Sequence, residues 1–163
     1  MLTVAALDIK TGVVIVRHLL IPAFLILAAC QTAPPSRFEG GQVIAPALAV
    51  MAAADSAPRG YPGRFGFVVR RADMVGPRLF LNSYPDYRDQ RNLSVAIAPG
   101  VLATLRAKHG DDLRAAFIGR SILIDGEARR ERIDFIVAGR PSGKYYFQTH
   151  VAVTRVEQIQ IVG

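Results

Sequence analysis

From residue 64 onward, short runs rich in apolar and β-branched positions alternate with Gly, Pro, Asn and Asp, the pattern of strands bounded by breakers. Residues 65–71 and 78–82 predict the first two strands, with Met74-Val75-Gly76-Pro77 as the turn between them. Tyr84-Pro85-Asp86-Tyr87-Arg88-Asp89 is an exit loop, and residues 92–98 alternate as a third strand. Pro99 opens a different period. Val101, Leu102, Leu105, Leu113, Ala116 and Phe117 recur at helical spacing, interrupted at Gly110-Asp111-Asp112, where Asp111 is placed to cap a second helical turn. Gly119 is placed to end that helix. Residues 121–128 resume strand, with Gly126 expected as a bulge. Residues 133–138 and 145–153 flank Gly139-Arg140-Pro141-Ser142-Gly143, a hairpin loop, and residues 151–162 complete the chain as strand.

The amino-terminal part has another texture. Residues 19–29 are eleven uncharged positions that follow Arg17 and His18, the order of a secretory signal. A membrane span needs about 20 predominantly apolar residues, and extending this run back to Gly12 would bury Arg17 at about 2.5 to 3.5 kcal/mol. The segment therefore suits a cleaved signal. Leu27-Ala28-Ala29-Cys30 resembles, position for position, the lipobox of bacterial lipoproteins. The resemblance implies cleavage before Cys30, acylation of that residue and a bacterial cell-envelope location. Gln31 stands where an Asp would imply retention at the inner membrane, so the resemblance points to the outer membrane, facing the periplasm. The residues alone also allow an ordinary signal with a chance cysteine, or a plain anchor helix. Residues 1–16 are long for an n-region and include Asp8, which suggests a translation start further downstream.

The expected domains are a signal over 1–29, a lipidated tether rich in Pro, Ala and Gly over 30–63, and a β domain over 64–163. Within the tether, residues 43–54 are apolar enough for a short helix or for packing on the domain. Removing 1–29 leaves 134 residues, enough for one core of moderate size. It also leaves 18 basic and 12 acidic residues, a net charge of +6. Of the 20 basic residues in the whole chain 17 are Arg, which suits bidentate contacts with phosphate or carboxylate, though a high-GC genome gives the same bias. With Cys30 assigned to lipid, no disulfide, thiol nucleophile or cysteine-based metal site remains.

Three strands, a helix and two long strands form the order of a small five-stranded OB-like Greek-key barrel, mainly β, with one helix between strands three and four. Phe80-Leu81-Asn82, the helix after Ala98 and Ile122-Leu123-Ile124-Asp125-Gly126 resemble their counterparts in small bacterial OB domains. The same order also fits another small barrel or an open antiparallel sheet. The OB resemblance implies a ligand face lying between the loops that join strands one to two and four to five. That face would gather Arg71, Arg78, Tyr84, Tyr87, Arg88, Arg91, Arg140, Lys144 and Tyr145. Tyr with Arg stacks on bases or sugars while neutralising phosphate, whereas the plainer reading is a structured turn beside a solvated basic face. Arg129-Arg130-Glu131-Arg132, the densest charge run, is better explained as a polar edge that prevents strand aggregation than as a lipid contact.

Enzyme signatures are missing. His109 and His150 lack metal-ligand spacing, so no metal or other cofactor is expected. The run from Gly139 to Tyr145 is one residue short of a phosphate loop and has Tyr where Ser or Thr must meet magnesium. Asp86 with Asp89, and Asp111 with Asp112, suit turns and caps rather than acid–base work. The expectation is a lipid-anchored, non-catalytic envelope module that binds an anionic glycan, a lipid head group or a partner protein, with nucleic acid ranked lower. The alternative is an envelope assembly component with no small ligand.

Overall fold

A computed structural model of the chain describes residues 41–162. The expected signal, Cys30 and the first part of the tether lie outside them. The described residues belong to one compact unit, mainly β. Its strands are β1 (Val43–Ile44), β2 (Tyr61–Val68), β3 (Arg71–Val75), β4 (Arg78–Asn82), β5 (Leu93–Ile97), β6 (Ser121–Val137), β7 (Arg140–Val153) and β8 (Ile159–Val162). Helix α1 (Pro46–Ser56) precedes β2, and α2 (Pro99–His109) and α3 (Leu113–Phe117) lie between β5 and β6. All eight strands join in one mixed sheet, ordered β1-β2-β6-β7-β5-β4-β3, with β8 off this path, paired to the first four residues of β6 on the edge opposite β2. The pairings β1–β2 and β5–β7 are parallel and the rest antiparallel.

Only Val69 and Arg70 separate β2 from β3, and hydrogen bonds carry the pairing through them. Val69 N–H donates to the Arg120 carbonyl at 2.9 Å, Gly119 N–H to the Val69 carbonyl at 2.8 Å, and Arg70 N–H to the Asn82 carbonyl at 2.9 Å. One bent segment thus pairs with β6 in its first half and with β4 in its second. Alternate residues of the strands face one core: Leu79 and Leu81, Leu93, Val95 and Ile97, Ile122 and Ile124, Val151 and Val153 are all buried. Val101, Leu102 and Leu105 of α2 with Leu113 and Phe117 of α3 complete it.

Residues 43–63, expected in the tether, fold with the domain from Val43 onward. The Ala-rich segment with Pro at its first turn is a good helix former. Ala49 and Ala53, one turn apart, are fully buried, and so small a pair lets α1 sit close to the strands beneath.

The sheet has eight strands where five were expected. Two of the additions, β1 and β8, are short strands at its margins, and the first expected strand is divided at its bend. The turn expected at 74–77 shrinks to Gly76-Pro77, because Gly76 adopts φ +56 and lets β3 run to Val75. Asp112, not Asp111, caps α3, accepting from the backbone N–H groups of Arg114 and Ala115. Gly126 is not a bulge: it pairs in register with Gly63, and a Cβ there would lie 2.7 Å from Val151 Cγ1. The bulge falls between Asp134 and Ile136. The charge run of 129–132 interrupts nothing, since β6 passes straight through it. Arg129 pairs with Glu127, and Arg132 with Asp134, two residues apart on the same side of the strand. The hairpin loop contracts to Ala138-Gly139, at φ +51 and +76. The final strand is broken by a 3₁₀ turn at Val156–Gln158, after which β8 pairs with β6.

Gly126→Ala is expected to lower stability by about 1–3 kcal/mol, the range for overpacking a core contact. In denaturant titrations the Gly126→Ala, Val151→Ala double variant should lose less than the sum of the singles.

Candidate ligand-binding site

The loop between β4 and β5 is held by a small buried polar cluster. Asn92, only 3% exposed, accepts from Ser83 Oγ at 3.2 Å and from Tyr84 N–H at 3.0 Å through its Oδ1. Its Nδ2 donates to Asn82 Oδ1 at 3.1 Å, Ser94 Oγ at 2.9 Å and the Tyr87 carbonyl at 3.4 Å. Ser83 Oγ also accepts from Leu93 N–H at 2.8 Å. Buried polar groups are tolerable only when paired. Here the pairing draws both ends and the middle of the loop to one side chain. Asp86 and Asp89 each accept from a backbone N–H two residues on, which closes the tight turns of the loop.

So fixed, the loop presents Tyr87 beside two guanidinium groups. Arg88 stands 5.1 Å and Arg71 5.6 Å from its ring centre. Gln148 of β7 reaches across, donating from Nε2 to the Tyr87 carbonyl at 3.3 Å and to Tyr146 Oη at 3.0 Å. Burial raises the Tyr146 phenol above its ordinary pKa, Tyr87 adding to the effect and Arg88 opposing it.

Between this loop, residues 145–149 of β7 and α1 lies an open groove of about 430 Å³. Arg88 and Gln90 form one wall, Val50 and Ala54 of α1 another. Arg130 joins from β6, its guanidinium 3.8 Å from the ring centre of Phe147. Tyr145 packs edge-on to Phe147 at 5.6 Å and carries Arg132 at 4.2 Å on its ring. No carboxylate lines this groove. Arg71, Arg91, Arg129 and Arg132 are each engaged by Asp or Glu, whereas Arg88 and Arg130 form no ion pair among the described residues. The lining is thus cationic and aromatic, with the Asp86 carboxylate acting on Tyr146 from outside it.

The structure brings together part of the expected set. Arg71, Tyr87 and Arg88 cluster, and Tyr145 lines the same groove as Arg88. Tyr84 and Arg91 pair with one another at 4.9 Å, but Arg91 is committed to Asp89 and neither lines the groove. The Asp89–Arg91 side-chain hydrogen bond is the chief cause that raises the pKa of Arg91 and lowers that of Asp89 to about 2. Arg78 starts β4 opposite Val75, and Arg140 and Lys144 stand near the turn of the β6–β7 hairpin, Arg140 opposite Val137. None of these three lines the groove. Arg130, Phe147, Gln148 and the α1 wall were missed. A signal for the first two exists, since antiparallel pairing of residues 128–134 with 145–151 sets Arg130 diagonally from Phe147 on one face. The α1 segment also covers one side of the core, so the groove lies outside the core rather than within it. Among the described residues no group of three or more His, Cys, Asp or Glu is placed to hold a metal ion, and no helix is long and apolar enough to cross a membrane.

No protein-family model matches the chain, and no curated protein does. Among solved structures it is similar to a "putative aspartyl-tRNA synthetase" from Leishmania major Friedlin. The likeness has a TM-score of 0.38 at 9% identity and covers 79% of this chain and 22% of that one. A likeness that loose says nothing of function.

His150 lies behind the loop, its ring 5.8 Å from Phe80 and its Nε2 2.7 Å from Gln148 Oε1. Burial lowers its pKa from the ordinary 6.5, Arg78 adding to the effect and Glu131 opposing it. The unfolded chain therefore takes up this proton at higher pH than the folded one. The associated stability is complete above the ordinary value and declines as pH falls through the window below it. His150→Gln should flatten the fall in Tm between about pH 7 and 5, read by thermal denaturation across a pH series. Asn92→Ala should cost about 1–3 kcal/mol through its abandoned partners. It should also speed amide exchange across residues 84–91, followed by hydrogen exchange.

Proposed function

We propose that this chain is a non-catalytic binding module of the bacterial cell envelope, anchored by lipid on Cys30, whose groove takes a stretch of anionic glycan. The observation that carries the ligand is charge. Two arginines that form no ion pair among the described residues, Arg88 and Arg130, look onto a groove with no acidic side chain in its lining. Tyr145, Tyr146 and Phe147 supply ring faces and edges for sugar rings to lie against, and guanidinium groups meet carboxylate or phosphate bidentately. An open groove suits a chain that passes through it better than a small molecule enclosed on all sides.

The OB-like reading belongs to the same proposal. The bent segment of residues 61–75 pairs with β4 and β6, β4 with β5, β5 in parallel with β7, and β7 with β6, which supports a Greek-key ring of five long elements. On this reading β1, α1 and β8 are additions to the ring. The envelope location and the anchor rest on the lipobox resemblance at residues 27–30. A second reading, an assembly component without a small ligand, is favoured by the part of the β6–β7 hairpin that pairs with nothing else.

The test titrates the full chain carrying Cys30→Ser with oligogalacturonate and, separately, with single-stranded DNA, across a salt series. Binding of the uronate should weaken log-linearly with salt. It should weaken roughly tenfold or more in the Tyr87→Ala, Arg88→Ala double variant and in Arg130→Ala. Arg140→Ala, outside the groove, should change it little. Preference for DNA moves the ligand to nucleic acid, and binding indifferent to the groove variants sinks the site and favours the assembly reading.

A further inference from the structure

We propose that the outer end of the β6–β7 hairpin is a membrane-surface contact, which sets the side chains of Phe135, Ile136 and Val137 into the head-group region of an anionic phospholipid bilayer. From Arg129 to Gln148 the two strands pair only with each other. At about 3.4 Å per residue, the nine residues from Arg129 to Val137 make roughly 30 Å of ribbon. Its end carries the contiguous run Phe135, Ile136 and Val137, at 44%, 59% and 64% exposure. Phe135 rests partly on Tyr146, with ring centres 5.3 Å apart, and with Ile136 and Val137 it leaves apolar surface on both faces of the ribbon end, which calls for an occupant.

The backbone and the charges choose between occupants. An added strand, from a peptide or a second copy, needs an unbroken edge of N–H and C=O groups. Here the β7 edge is broken, since Ser142, Gly143 and Lys144 stand against Phe135 alone and Pro141 lacks a donor, while the β6 edge carries the charged side chains of Arg129 to Arg132 and Asp134. The edge is blunted while the side chains are not. A bilayer interface takes apolar side chains without pairing the backbone, and it keeps that backbone within reach of water and head groups. Residues 129–148 hold five basic and two acidic side chains, net +3, with Arg140 and Lys144 beside the apolar run. That charge complements anionic head groups, and the long basic side chains can bend back to them. Tyr145 and Tyr146, behind the apolar run, have the amphipathic rings that settle at such interfaces.

The chain contains no tryptophan, so Phe135→Trp creates a unique reporter on the ribbon end. In the full chain with Cys30→Ser, its emission should shift to the blue and be quenched by brominated acyl chains when vesicles of phosphatidylglycerol and phosphatidylcholine are added. Vesicles of phosphatidylcholine alone should quench it far less. Adding Arg140→Gln and Lys144→Gln should abolish the difference between the two. A reporter at Leu48→Trp on α1, also exposed, should stay unquenched. An unshifted reporter at position 135 on a chain bound to vesicles overturns the proposal, and so does quenching at position 48 alone. A blue shift that follows protein concentration without vesicles also overturns it, in favour of a second copy of this chain. The reporter sits on the ribbon, so its failure leaves acylation of Cys30 and glycan binding in the groove standing.

Discussion

Seventeen residues of β6 satisfy their backbone groups with three different partners, and the placement of nearly everything else follows from that. Its first eight residues pair with β2 on one side, and four of those pair with β8 on the other. From Ala128 onward it passes to β7. Where β6 changes partners, the packing across the sheet face is tight. The Gly63–Gly126 pair beside Val151 supplies that close approach at the crossing. The Arg64–Asp125 pair, joined by two hydrogen bonds of 2.7 Å, locks the neighbouring register.

With β6 committed in this way, β7 takes β5 as a second partner from Thr149 while it still pairs with β6 as far as Val151, and the groove lies along its edge before that point. The floor of the groove is β7 just before its pairing with β5 begins. Its walls are α1, which fills the space over the first part of the sheet, and the loop tied to Asn92. Function is therefore proposed just before one strand gains its second partner. An uncovered stretch of β edge there is unavoidable, and the side chains around it are cationic and aromatic.

The arginines divide by partner. Those two residues from an acid on the same strand face or turn, Arg71, Arg91, Arg129 and Arg132, are neutralised locally and serve as solvated edges. Exposed pairs of this kind add little stability, but they keep the sheet margins polar. Arg88 and Arg130 form no such ion pair among the described residues. Asp86, two residues before Arg88, accepts from its backbone N–H, and each guanidinium meets an aromatic ring. A guanidinium resting on a ring keeps its hydrogen-bonding edge free for an incoming anion.

The sequence by itself determined the run of strands, the helical interlude after Ala98, the polar loop of residues 83–92 and most of the core, because these follow from local periodicity and turn chemistry. Tyr87, Arg88 and Tyr145 were legible as site candidates since stacking rings beside cations stand out in any one-dimensional reading. Only the tertiary structure decided that Arg130 and Phe147 meet and that Arg78, Arg140 and Lys144 stand apart from them. It alone decided that the Ala-rich segment of residues 46–56 walls a groove. Strand register carries two residues seventeen apart to within a few ångströms, and only the pairing of the hairpin, not either local neighbourhood, records it. The charge run of residues 129–132 was misleading for a related reason. A ribbon wet on both faces has no apolar alternation to display, so a continuous strand looked like a break between two.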